Sequence, residues 1–177
     1  MGDAINYHGW ILDIFKPFLG NYVVEVGAGQ GSFSERILGR HACRTLSLVE
    51  PSEQMYRRLV ARVQQMKSDA HVQSFQGTLP AIIPLIHVRE APDSIIYVNV
   101  LEHIADDEAE LNIVHDALSS GSRVLIFVPA FSWLYGRFDK RVGHFRRYTR
   151  DELEEKLRRA RFEILHSAYF DLTGIIP

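Results

Sequence analysis

The sequence predicts an α/β fold, a doubly wound, mostly parallel sheet flanked by helices. Three observations carry that expectation. Apolar, β-branched runs alternate with amphipathic stretches along most of the chain. "VVEVGAGQGSFSERIL", residues 23–38, reads as strand, glycine-rich turn and helix. "RTLSLVEPSEQM" then supplies a second apolar strand that ends on an acid, Glu50.

Each element follows in order. Ile5, Trp10, Ile11, Ile14, Phe15 and Phe18 recur at mostly helical spacing and predict a first helix that stops near Pro17 and Gly20. Val23, Val24 and Val26 place a buried strand at about 22–27. A helix over about 32–40 follows, with Ser32 and Glu35 spaced as a capping box. The second strand covers 44–50, and Ser52 is the expected N-cap of a helix through Met55, Leu59 and Val63. A shorter strand is expected near 71–77. Pro80, Pro84 and Pro92 make 79–92 either a broken helix or a packed loop.

"DSIIYVNVLEHI" supplies the fourth strand, and "DDEAELNIVHDALSSG" an amphipathic helix with acids in its first turn. "SRVLIFVPAF" is the fifth strand. A polar, basic connection over 132–148 leads to a Thr149–Glu152 capping box and a helix to about Ala160. "FEILHSAYF" reads as a sixth strand.

Composition bounds the function. The chain has 177 residues, 46% hydrophobic, enough for one well-buried domain spanning 1–177 and short for two. A net charge of −2 argues against bulk nucleic-acid binding. The single cysteine, Cys43, fits a reducing compartment. No basic segment followed by an apolar core opens the chain, and no apolar run approaches a membrane span, so a cytoplasmic location is expected.

The glycine turn should lie at the carboxyl end of the first strand, where open α/β sheets bind ligands. Gly27, Gly29 and Gly31 would let a ligand touch the main chain, and the helix behind them offers N–H groups to an anion. A dinucleotide fingerprint would need a third glycine where Ser32 stands. The motif is instead E-x-G-x-G-x-G, with Glu25 inside the strand. Glu50, one carboxylate at a strand tip, suits two vicinal ribose hydroxyls. Taken singly, these residues have plainer explanations, a tight turn and a solvated strand end. Together they favour a nucleoside cofactor.

These segments, with "IIYVNVLEHI" and "SGSRVLIFVPAF", resemble in order the signature segments of class I S-adenosylmethionine-dependent methyltransferases, over roughly residues 5–170. "YGRFDKRVGHFRRYTRDELEEKLRRARFEI" further resembles a bacterial branch acting on small molecules, some associated with sugar or envelope-glycan enzymes. The resemblance implies a Rossmann-like sheet and S-adenosylmethionine as cofactor. The glycine turn would take its methionine end, Glu50 its ribose, Pro51 and Met55 the adenine edge. Thr78 would approach adenine, although "QGTL" lacks the aspartate of many relatives, and Asn99 would contribute its backbone near the methionine end. The family has seven strands. After "FEILHSAYF" only "DLTGIIP" remains, shorter than a turn plus a strand of about five residues, so the seventh strand is expected to be missing and a sheet edge exposed.

Methyl transfer needs alignment, exclusion of water and, for a hydroxyl acceptor, removal of a proton. The candidates for that proton are His144, His103 and Glu102. A metal site on Glu102 and His103 lacks a third ligand spaced with them, so no metal is expected. The basic connection, with Arg146 and Arg147 among interleaved aromatics, suggests a small anionic acceptor, a carboxylate or phosphate. The reading is therefore methyl transfer to a small or lipid- or sugar-linked acceptor, at oxygen. Its alternatives are an NAD-dependent oxidoreductase and a cofactor-binding domain without turnover.

Overall fold

The computed structural model describes residues 2–87 and 91–170. They divide into two compact units, Met1–Val98 with Asp116–Phe127, and Asn99–His115 with Val128–Pro177.

The first unit is built on a parallel five-stranded sheet. In chain order its elements are α1 (Gly2–Phe15), β1 (Tyr22–Val26), α2 (Ser32–Arg40), β2 (Thr45–Glu50), α3 (Glu53–Val63), β3 (His71–Gln76), α4 (Leu79–His87) and β4 (Ser94–Val98). Helix α5 (Asp107–Ala117) and strand β5 (Arg123–Phe127) follow. The strand order is β3-β2-β1-β4-β5, all parallel. β1 therefore lies between β2 and β4, with Val24 opposite both Ser47 and Ile95. The order reverses beside β1, and ligands of such sheets bind at that reversal.

Burial explains which strands read most clearly. Every residue of β1 and β2 is buried, whereas β3 and β5 are only partly covered. Ile11, Leu12 and Phe15 of α1, Phe33 and Ile37 of α2, and Leu59 of α3 pack with Val23, Leu46, Leu48, Ile96 and Leu125 in one cluster. Each such side chain contributes about 1.5–3 kcal/mol by leaving water. The proline-rich segment resolves into a helix: α4 runs through Pro84, and the Thr78 carbonyl starts it by accepting from Ala81 and Ile82.

The second unit holds the first part of α5 and, after β5, helices α6 (Arg137–Val142) and α7 (Arg150–Arg159). Its interior includes Leu101, Leu111, Val114, Tyr148 and Ala160. α7 starts with the expected capping box: Thr149 Oγ1 accepts from Glu152 N at 3.2 Å, and Glu152 accepts from Thr149 N at 2.8 Å.

Two expectations need correction. Ser32 is the first residue of α2, not its cap. Gly31, at φ 85°, occupies the N-cap and its carbonyl accepts from Glu35 N, while Ser32 Oγ accepts from Arg62 at 2.7 Å. The left-handed turn carries the chain into the helix, so no side-chain cap forms. Residues 162–170 form no strand, and the sheet of the described residues has five. The alternation that suggested a strand is met by packing instead, with the Phe162 ring edge-on to His115 at 5.3 Å. The expected absence of a seventh strand falls on 171–177, outside the described residues.

Candidate active site

In the first unit the carboxyl ends of β1, β2 and β3 are joined by main-chain hydrogen bonds. Gly27 N and Ala28 N donate to the Val49 carbonyl at 2.8 and 3.1 Å, and Gly77 N donates to the Glu50 carbonyl at 3.1 Å. The Glu50 side chain completes the arrangement: Gly29 N donates to Oε2 at 2.7 Å and Ser52 N to Oε1 at 2.8 Å. Glu50 is only 6% exposed, yet neither oxygen is orphaned. Each carboxylate oxygen still has a second lone pair for a further donor.

The glycines do different work. A Cβ on Gly31 would lie 2.9 Å from Leu59 Cδ1 and 3.2 Å from Met66 Cε, so this position is reserved for helix packing. A Cβ on Gly29 would meet nothing within 4 Å, but its φ of +56° disfavours any side chain. Gly29 therefore leaves open space beside bare main chain, the geometry a ligand needs for close approach.

Glu25 sits within β1, opposite Leu48 and Ile96, and Ser34 Oγ donates to its Oε2 at 2.6 Å. Burial pushes its carboxyl up to about 8; the Ser34 hydrogen bond opposes the shift and the Glu50 charge adds to it. A cation beside Glu25 would restore the charged form. Pro51 and Thr78 are exposed and Met55 half-buried, while Ser52 caps α3 as expected by accepting from Met55 N at 3.4 Å. Asn99 adopts φ 53°, a conformation rare outside glycine, directly after β4.

The second unit brings together Glu102, His103 and His144, one ligand atom of each lying within 4.8 Å of the others. Leu101–His103 form one 3₁₀ turn, and the Phe145 N–H donates to the Glu102 carbonyl at 2.8 Å, which ties the distant His144 segment to it. Asp139, 1% exposed on α6, accepts from His144 Nδ1 and Gly136 N at 2.9 Å each and from Arg147 Nε at 2.7 Å. Those donors, led by Arg147 and opposed by burial, hold its carboxyl well below the usual carboxylate range. An ionised Asp139 holds a proton of His144 on Nδ1, so in the neutral ring it is Nε2 that presents the lone pair. His103 Nδ1 contacts the Gly143 carbonyl at 3.2 Å, and a carbonyl only accepts, so its Nε2 is likewise bare. Burial, then the neighbouring His144, lowers the His103 imidazole, with the Gly143 carbonyl opposing. Glu102 is fully buried and neither carboxyl oxygen has a hydrogen-bond partner among the described residues. Burial pushes its carboxyl up to about 7, opposed by the nearby dipole of its own backbone N–H and reinforced by Asp139.

Sequence spacing missed the acids that organise this unit. Arg146 pairs with Asp107 at 2.7 Å and donates to the Ala105 carbonyl at 2.6 Å, while Arg147 is engaged by Asp139. Asp107 also accepts from Tyr148 at 2.8 Å and Lys156 at 2.9 Å. Both arginines expected to meet an acceptor thus serve internal carboxylates. Their partners lie 39 and eight residues back along the chain, and no local pattern marks them. On α6, Arg137, Lys140 and Arg141 are exposed instead, close in sequence to Trp133 (70% exposed) and Phe138 (68% exposed).

Among solved structures, the chain is similar to the cyclopropane synthase MmaA2 from Mycobacterium tuberculosis, at 15% identity and TM-score 0.70, covering 92% of this chain and 61% of that one. It is also similar to an S-adenosylmethionine dependent methyltransferase from Mesorhizobium loti, at 17% identity and TM-score 0.67, over 89% of this chain and 81% of that one. A SAM dependent methyltransferase from Archaeoglobus fulgidus shares 16% identity at TM-score 0.66, over 90% and 69%. At such identities these likenesses speak for the fold. No curated protein matches the chain. The family described as "Methyltransferase domain" matches residues 7–167, across the glycine turn, Glu50 and the Glu102–His144 cluster. The chain belongs to this methyltransferase domain family, and to the class I S-adenosylmethionine-dependent methyltransferases.

Proposed function

We propose that residues 1–177 act as one methyltransferase domain that transfers the methyl group of S-adenosylmethionine to a hydroxyl of a small, amphiphilic acceptor, lipid- or sugar-linked. The cofactor supplies a methyl group already activated on a sulfonium. The chain's task is to bind, orient and handle one proton.

For binding, the carrying observation is the open space at Gly29 beside a Glu50 carboxylate with two lone pairs to spare. Ribose hydroxyls fit those lone pairs, and the main chain at Gly27, Gly29 and Gly31 suits the methionine end. Glu25 faces the ammonium in this reading. Pro51, Met55 and Thr78 line adenine, and Asn99 lends its main chain. The choice of oxygen as the methylated atom rests on the second unit, where bare lone pairs of His144, His103 and Glu102 converge to receive a hydroxyl proton. The exposed Trp133 and Phe138 among Arg137, Lys140 and Arg141 suit an acceptor that is part apolar and part anionic.

Calorimetric titration with S-adenosylhomocysteine, with NADH as control, tests the cofactor. Binding of the first alone is expected, and silence to it would end the reading. A screen of lipid- and sugar-linked alcohols then tests the acceptor. His144→Gln should cut turnover about 10²–10⁴-fold while leaving S-adenosylhomocysteine affinity unchanged.

A further inference from the structure

We propose that Glu102, His103 and His144 form a binding site for one divalent transition-metal ion, with Asp139 as the residue that positions His144. The inference deepens the methyl-transfer reading, and the ion's part in the reaction rests on it.

Unmatched lone pairs mark the cluster. His144 gives its Nδ1 proton to Asp139 at 2.9 Å, so its Nε2 is an acceptor. His103 uses Nδ1 on the Gly143 carbonyl at 3.2 Å, so its Nε2 is an acceptor as well. Both oxygens of Glu102 are acceptors, fully buried and unpartnered among the described residues. With Glu102 ionised, acceptors converge with no donor among them, an arrangement that costs stability unless a positive charge joins it; without an ion, burial favours a proton on Glu102 instead.

Hydrogen bonding within the cluster does not fill the gap. His144 Nε2 stands 3.9 Å from Glu102 Oε1, too far for a hydrogen bond. It is close to the spacing of two ligands on one ion, about 3.0–3.5 Å when each bond is about 2.0–2.2 Å long. The rings of His103 and His144 lie edge to face, with centroids 4.6 Å apart. His103 is exposed, so its ring can close the remaining distance without disturbing packed neighbours.

Ligand chemistry selects the ion. Two imidazoles and one carboxylate suit zinc, iron, cobalt or manganese better than calcium or magnesium, which favour oxygen. Three protein ligands leave positions open, the mark of a catalytic rather than a structural site. The Asp139–His144 pair is the carboxylate–imidazole support that such ligands ordinarily carry. A bound ion would occupy the lone pairs otherwise open to the hydroxyl proton and would instead supply Lewis acidity toward the acceptor oxygen, whose proton would leave to water.

The test uses the untagged full chain, stripped with a chelator and titrated with zinc and, in parallel, cobalt(II). A single ion per chain is expected, with visible absorption from bound cobalt. His103→Ala, at an exposed position that does not threaten folding, should weaken zinc binding by about tenfold or more, and Asp139→Asn by about 10–100-fold. Failure of the wild-type chain to bind either ion would overturn the proposal. So would wild-type affinity retained in both His103→Ala and Glu102→Gln. Titrating the same stripped chain with S-adenosylhomocysteine separates the two readings. Cofactor binding without metal binding would sink the metal site and leave methyl transfer standing.

Discussion

Two buried glutamates contrast the two units. Glu50 is 6% exposed and both its oxygens accept backbone N–H groups, from Gly29 and Ser52. Glu102 is more deeply buried and neither oxygen has a partner among the described residues. The first carboxylate is part of a finished structure, since rigid main chain supplies its donors before any ligand arrives. The second stands beside two imidazole rings, and no described residue donates to it. Pre-formed main-chain geometry suits a cofactor bound the same way in every cycle. Unsatisfied side chains suit the place where a proton or ion is handled.

Four substitutions would break or sharpen this contrast. The largest effect should come from Asp139→Ala. Removing that carboxylate leaves Arg147 and His144 without their buried partner, and stability should fall by about 3–5 kcal/mol in urea unfolding. An unchanged midpoint would mean the second unit is not organised by this charge. Glu50→Ala should weaken S-adenosylhomocysteine binding by about 1–3 kcal/mol in calorimetry. Unchanged affinity would remove Glu50 from the cofactor site.

Glu25 tests a third kind of buried acid in the same first unit. Its carboxyl is pushed up to about 8, and in the unfolded chain it titrates near about 4.3. Between those values the native state keeps a proton that the unfolded state has lost. Its contribution is therefore whole below the lower value and drains away as pH rises through about 8, at no more than about 1.4 kcal/mol per pH unit. Denaturant melts of wild type and Glu25→Gln across that range should show the slope flattened in the variant. The smallest effect has the opposite sign. In the chelator-stripped chain Glu102→Gln removes an unpartnered carboxyl and brings an amide donor toward His144 Nε2, so stability should rise by about 1 kcal/mol. A loss there would show that Glu102 already has an internal partner.

Much of the first unit was legible in the chain. The β-branched runs of β1 and β2, the Gly27–Gly31 turn, Glu50 and the Ser52 cap each depend on residues close in sequence, as does the Thr149–Glu152 capping box. The errors arose where one local pattern served two structures. Ser32 and Glu35 have capping-box spacing, but the left-handed Gly31 had already turned the chain. Phe162 and Ile164 alternate like a strand, but Phe162 packs on the His115 ring. Arg146 and Arg147 look like anion ligands until Asp107 and Asp139 engage them.

By itself the sequence determined the α/β class, the order of strands and helices as far as α7, and the glycine turn after β1, because periodicity, turn chemistry and caps act over a few residues. Tertiary structure alone decided that His144 meets Glu102 and His103, that Asp139 holds its Nδ1 proton, and that neither oxygen of Glu102 has a partner among the described residues. The physical reason is distance along the chain. Contacts between residues some forty positions apart leave no period to read, and a buried group is satisfied or orphaned only by what folding places beside it.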